Sequence, residues 1–180
     1  MPMRAGDARS ALGDYMKRRL VFLSFLLAIA VSGLGLAGCG GPSQADLTKM
    51  NVALDSMSKL GSKVEAGLVY ADYSAAVGNA KGDVDLFLES AAAKAYPEVA
   101  ANTSTAMQAY VAASSLWNAK IQSTSVRPGS VANWDSLVAA FPDLAGDVSG
   151  SGSVITDSAM QTLWAGAAAK MTVAKAAAPK

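Results

Sequence analysis

The chain has 180 residues, of which 52% are hydrophobic and 16% charged, and its fifteen basic and fourteen acidic residues leave a formal net charge of +1. That length fits one domain of ordinary size and excludes a second large one. Residues 1–38 hold five basic and two acidic residues, whereas residues 39–180 hold ten and twelve, so the body carries −2 and has no charge excess with which to bind nucleic acid. Histidine is absent and Cys39 is the only cysteine, which excludes imidazole catalysis, intrachain disulfides and cysteine-histidine metal cages.

Residues 20–38 are a long, strongly apolar uncharged stretch, LVFLSFLLAIAVSGLGLAG, with Lys17, Arg18 and Arg19 directly before it and Cys39 directly after. A basic start, an apolar middle and small residues at the boundary are the parts of an export signal, because the cations stay cytoplasmic while the apolar segment inserts. Met16-Lys17-Arg18-Arg19 is a compact start by itself, and residues 1–15 carry Asp7 and Asp14, which such regions usually lack; Met16 is therefore a candidate translation start. Gly33-Leu34-Gly35-Leu36-Ala37-Gly38 matches the GxGxxG dinucleotide fingerprint, but that string has chemistry only between a strand and a helix of a folded domain, so it is set aside.

Leu36-Ala37-Gly38-Cys39 resembles the lipobox of bacterial lipoproteins. The resemblance implies cleavage between Gly38 and Cys39 and a diacylglycerol thioether on Cys39. The residue types suit that chemistry: small side chains at Ala37 and Gly38 admit an extended backbone to a peptidase, and the Cys39 thiol is the one soft nucleophile. Gly40 is not the aspartate that retains some lipoproteins in the inner membrane, so the resemblance favours the outer membrane where there is one. The competing expectation is that residues 20–38 stay as a single membrane-spanning helix, since nineteen residues approach the length needed. Gly33, Gly35 and Gly38 weaken such a helix and are harmless in a segment that is removed.

Beyond residue 38 the chain reads as helices, with thirty-one alanines and no run of alternating β-branched residues. Ser43 followed by Asp46 predicts a helix start, and Leu47, Met50, Leu54, Met57 and Val64 form its apolar stripe to about Ala66. Gly61 stands where that stripe wants a large side chain, either weakening the helix or letting a neighbour approach closely. A second stripe runs through Tyr73, Val77, Ala80, Val84, Phe87, Leu88 and Ala91, with Gly78 and Gly82 marking a kink or a break. Pro97 opens a third helix, with Val99, Met107, Tyr110, Ser114, Trp117 and Ile121 inward. Residues 123–133 read as a loop. A short fourth helix carries Val131, Trp134, Leu137, Val138 and Phe141 and ends before Pro142. Residues 146–153 read as a flexible connection. Thr156 or Asp157 caps a last helix with Met160, Leu163, Trp164, Ala167, Met171 and Ala174 inward. Trp117 and Trp164 are expected at the centre of the core.

Few residues carry candidate chemistry. Ser56-Met57-Ser58-Lys59 matches the S-x-x-K string of penicillin-recognising enzymes, but its SDN and KTG companions are absent and Lys59 is placed to pair with Asp55 one turn away. Asp83, Asp85 and Glu89 form the densest acidic cluster and read as a solvated helix face. Tyr70, Tyr73 and Tyr110 are candidates for an aromatic ligand pocket, with half-buried packing as the competing reading. Asn102-Thr103-Ser104 is a glycosylation sequon with little meaning in a bacterial chain.

The expected protein is all-α, a four- or five-helix bundle at 46–175, following a cleaved signal peptide at 1–38 and a lipidated tether at 39–45 and ending in a frayed tail at 176–180. It resembles the small helical envelope lipoproteins in architecture. The expected role is non-enzymatic: a structural or interaction module of the cell envelope, extracytoplasmic and membrane-anchored by acyl chains on Cys39. The alternative is a small-molecule or lipid binder with a cavity between helices. No catalytic residue, metal ligand, cofactor or nucleic-acid partner is expected.

Overall fold

Ser43 starts the first helix as its sequence position predicts: its Oγ accepts the Asp46 backbone N–H at 3.2 Å and donates to the Asp46 carboxylate at 2.7 Å. That hydroxyl holds the Asp46 carboxyl below its usual range. The computed structural model describes residues 41–179, so the signal segment, Met16, Gly38 and Cys39 lie outside the described residues. Helix α1 spans Gln44–Ala66 and stops at Gly67, whose φ of 82° lies in the left-handed region that favours glycine. A three-residue turn leads into α2, Tyr70–Leu88. The one-turn helix α3, Ala91–Ala95, and then α4, Pro97–Ile121, follow, with Pro97 in the first turn as expected. The connection from 122 to 155 contains a 3-10 turn at Pro128–Ser130, the short helix α5 at Trp134–Ala140 and a second 3-10 segment at Pro142–Asp147. Helix α6, Thr156–Ala177, closes the fold.

The four long helices form an all-α, up-down-up-down bundle. Ser56 on α1 bonds Asp83 on α2, the Tyr70 ring at the start of α2 packs 5.8 Å from that of Trp117 near the end of α4, and Lys120 at the end of α4 pairs with Asp157 at the start of α6. Each neighbouring pair is therefore antiparallel. The most extensive packing joins α4 to α6. Both helices bury alanines there to zero exposure, Ala106, Ala109 and Ala113 on α4 and Ala159, Ala167 and Ala174 on α6, and small side chains let two helix axes come close. The α1–α6 side is packed less fully and leaves a groove.

Several sequence expectations change. Helix α2 runs unbroken through Gly78 and Gly82, both exposed, because its buried residues Tyr73, Val77, Ala80, Val84 and Phe87 lie on the opposite stripe and their packing outweighs about 1 kcal/mol per glycine. Ile121 faces solvent at 57% exposure because α4 ends at that residue, past the last packed turn. Ala91 is exposed too, since α2 stops at Leu88 and Ala91 starts a separate helix. Trp117 and Trp164 are half-buried and pack at the margin of the core, while its largest fully buried rings are Tyr73, Tyr110 and Phe87. Helix α1 takes in the last two residues of the expected tether, and α6 continues two residues into the expected frayed tail.

The segment read as a flexible connection is a built hairpin. Val148 and Val154 face each other in an antiparallel bridge, Ser149 N–H donates to the Ser153 carbonyl at 2.8 Å, and Val154 N–H donates across to the Val126 carbonyl at 2.8 Å. Asp147, only 6% exposed, anchors it: its carboxylate accepts the Ser158 hydroxyl and, at 2.7 Å, that of Thr162. The carboxylate thus sits against the first turns of α6, where the helix dipole favours negative charge. The N-cap position is Ile155, without a side-chain cap, and not Thr156 or Asp157.

Two positions make the packing testable. Gly166 on α6 accommodates the Phe141 ring, since a Cβ there would lie 2.5 Å from Phe141 Cδ1. Alanine would gain about 1 kcal/mol of helix propensity, yet forcing the ring aside costs about 1–3 kcal/mol. Gly166→Ala is expected to lower stability in urea unfolding, and Phe141→Ala to absorb most of that penalty in the double mutant; a stabilised Gly166→Ala would contradict the packing. Thr103 on α4 is fully buried and its Oγ1 has no hydrogen-bond partner among the described residues. Thr103→Val should therefore raise the unfolding free energy by about 1 kcal/mol with an unchanged urea slope.

Candidate functional site

The polar groups singled out in the sequence are held apart in structural pairs. Lys59 Nζ lies 2.6 Å from the Asp55 carboxylate on the exposed face of α1, as the i,i+4 spacing predicts. That pairing raises the Lys59 pKa, the hydrogen bond to Asp55 being the main cause. Ser56 turns away from it to donate to Asp83 on α2. Asp85 takes Lys81 as its partner and Glu89 is exposed, so the acidic cluster is divided among separate contacts. Among the described residues no group of three histidine, cysteine, aspartate or glutamate side chains converges on a metal position.

The tyrosines, by contrast, do come together. Tyr73, fully buried, donates its hydroxyl to the Tyr110 carbonyl at 2.9 Å and accepts the Trp164 indole N–H at 2.9 Å. One phenol thereby joins α2, α4 and α6. The Tyr73 ring lies 5.3 Å from Trp117 and 5.7 Å from Trp164, and the two tryptophan rings are 5.8 Å apart in an edge-to-face arrangement. Such offset and edge contacts suit ring quadrupoles and add about 0.5–1.5 kcal/mol per pair beyond burial. Burial raises the Tyr73 pKa, although the Trp164 N–H works in the opposite direction. The rings of Tyr70, Tyr73, Trp117 and Trp164 pack on one another as a cluster.

Tyr110 has a different environment. Its ring is buried, but its hydroxyl has no hydrogen-bond partner among the described residues and lies 3.2 Å from where a Cβ would stand at Gly61. Of the two alternatives its place in the α1 stripe left open, Gly61 thus takes the close neighbour. The hydroxyl sits at the floor of the groove between α1 and α6, about 430 Å³ in its wider part, with Val64 and Glu65 on one wall and Gln161, Trp164 and Ala168 on the other. A narrower continuation of about 210 Å³ runs between Met57 and Met171 towards Lys175. A second groove, about 260 Å³ and lined by Val84, Leu88, Met107 and Val111, lies between α2 and α4 beside the Lys81–Asp85 pair. Nothing in the sequence announced that Tyr110, rather than Tyr70 or Tyr73, would present its hydroxyl to a groove. The one signal was the pairing of a glycine in an apolar stripe with a tyrosine elsewhere.

Comparison with known proteins found no matching family model, no matching curated protein and no matching solved structure.

Burial, reinforced by the negative charge of Glu65, pushes the Tyr110 phenol up to about 12 from an ordinary value of 10.0. A phenol whose folded-state value is raised contributes stability that is complete below pH 10 and is lost as pH rises through about 12. The unfolding free energy should therefore fall between pH 10 and 12, and Tyr110→Phe should fall less steeply across that window in parallel urea titrations. Equal slopes for the two proteins would show that Tyr110 ionises as freely in the fold as in the unfolded chain.

Proposed function

We propose that the protein is a lipid-anchored, extracytoplasmic helical bundle that serves as a non-enzymatic structural or interaction module of the cell envelope. The observation that carries this reading is the order of parts from Lys17-Arg18-Arg19 through the apolar stretch 20–38 to Leu36-Ala37-Gly38-Cys39, with Cys39 the chain's one thiol. Two or three acyl chains on Cys39 hold a protein far more firmly than one, at about 0.8 kcal/mol per buried methylene. Only Gly40, Gly41 and Pro42 separate that cysteine from the capping Ser43, so chain length limits the start of α1 to within about 15 Å of the acylated residue.

The bundle supports an interaction role through its apolar far end. Helix α1 starts at the tether and its 23 residues rise about 34 Å. At the other end stand Val69 at 65% exposure, Ile121 and Ile155, all large and uncovered. Their elements meet there, since Tyr70 packs on Trp117 and Lys120 pairs with Asp157. An uncovered apolar end suits another envelope protein as partner. The commitment of Ser56, Lys59, Asp83 and Asp85 to structural pairs supports the non-enzymatic reading.

A second reading, a small-molecule-binding lipoprotein, is favoured by one observation: the groove over the Tyr110 hydroxyl has the volume of a ligand site.

Mass spectrometry of the membrane-extracted protein tests the anchor. The mature chain should begin at Cys39 with acyl groups on that residue, and Cys39→Ser should carry no lipid and remain uncut after Gly38. A purified wild-type chain with residues 20–38 still attached would overturn the proposal.

A further inference from the structure

The groove between α1 and α6 has at its floor a hydroxyl without a protein partner among the described residues. Tyr110 is 1% exposed, yet its hydroxyl finds no partner among the described residues and opens onto the groove at the level of Gly61. The one fully enclosed unpaired polar atom among the described residues is Thr103 Oγ1, whereas the Tyr110 hydroxyl is reached from the groove, so its partner comes from there. The side chains around it narrow the chemistry of that partner. In the wider part of the groove the only charged residue is Glu65, which forms no ion pair among the described residues. Trp164 supplies aromatic surface, and Val64, Ala165 and Ala168 supply apolar surface. Lys175 lines the narrower continuation, which Glu65 also borders, but stands eleven residues beyond Trp164 on α6, about 16 Å along the helix.

We propose that the wider part of this groove binds a small organic cation, an aromatic or aliphatic body bearing an ammonium group, with the ammonium at Glu65 and the body against Trp164 and Ala168. This rests on the second, ligand-binding reading and names its ligand class. A carboxylate beside aromatic rings attracts an ammonium twice, by Coulomb attraction and through the negative ring faces. The Tyr110 phenol, protonated at neutral pH as any phenol is, remains a donor to an oxygen or π-system on the ligand body. Gly61 keeps the floor accessible, since a side chain there would meet the Tyr110 hydroxyl. An anionic ligand would face Glu65 directly and is rejected.

Three probes with one body and three charges test this: phenethylammonium, 2-phenylethanol and phenylacetate, titrated into the full chain while the Trp164 indole N–H resonance is followed by NMR. Phenethylammonium is expected to bind at least five-fold more tightly than 2-phenylethanol, with phenylacetate weakest, and Glu65→Gln is expected to remove the difference between the first two. Glu65 is exposed and makes no structural pair, so that variant leaves the fold intact. Gly61→Leu, checked for folding by circular dichroism, should abolish binding of all three. Equal binding of the ammonium and the alcohol, or an ammonium preference that survives Glu65→Gln, overturns the cation assignment while leaving a ligand groove. Absence of any shift at Trp164 with all three probes overturns both.

Discussion

The Tyr73 hydroxyl is the point on which the bundle depends. It lies where three helices meet, donating to a carbonyl of α4 and accepting from an indole of α6. The phenol that forms both bonds is itself fully buried, where an unpaired polar group costs about 1–3 kcal/mol. The phenol, the indole and the carbonyl therefore specify one rotational setting of α2 against α4 and α6. Hydrophobic burial alone tolerates several such settings, because apolar contacts have no direction. The edge-to-face contacts of Trp117 and Trp164 then follow from the position of the Tyr73 ring.

A different constraint shapes the other side of the molecule. Helices α4 and α6 approach closely through alanines, and the connection between them must return over thirty residues without a helix longer than α5. It does so by attaching itself to α6 twice. Phe141 presses its ring onto Gly166, and Asp147 collects the hydroxyls of Ser158 and Thr162. Glycine and serine at 149–153 give the chain its tight return, with Gly152 at φ 78°, and the hairpin is held by backbone bonds to its own residues and to Val126. With α4 and α6 braced from outside, the α1–α6 side is left less filled, and its groove extends over Tyr110.

The candidate site was legible in the sequence only as a set of residue types. Tyr70, Tyr73 and Tyr110 stand out in a chain with few aromatics, but spacing along one helix says nothing about which hydroxyl will be paired and which will open onto a groove. Tyr73 acquires its partners from residues 37 and 91 positions away, distances at which no local pattern operates. The S-x-x-K string and the acidic cluster fail for the same reason. Ser56 is claimed by Asp83, twenty-seven residues on, and a residue so engaged is unavailable to the lysine three positions away.

The sequence by itself determined the helices and most of their ends. Ser43 with Asp46, Pro97 and Pro142 act through bonds and sterics within a few residues of themselves, so their effect survives without knowledge of the fold, and the spacing of Met50, Leu54, Met57, Val77, Val84 and Leu163 marks inward faces. It also supplies the Cys39 motif, which is read as a linear string. The tertiary structure decided which alanines are buried, since alanine occurs on every face and carries no amphipathic signal. It placed Trp117 and Trp164 at the margin and turned 146–153 from a connection into an anchored hairpin, because the partner of Asp147 is a helix that begins nine residues later. Where contacts are local the residues dictate the outcome; where they join distant segments, the geometry of the assembled bundle does.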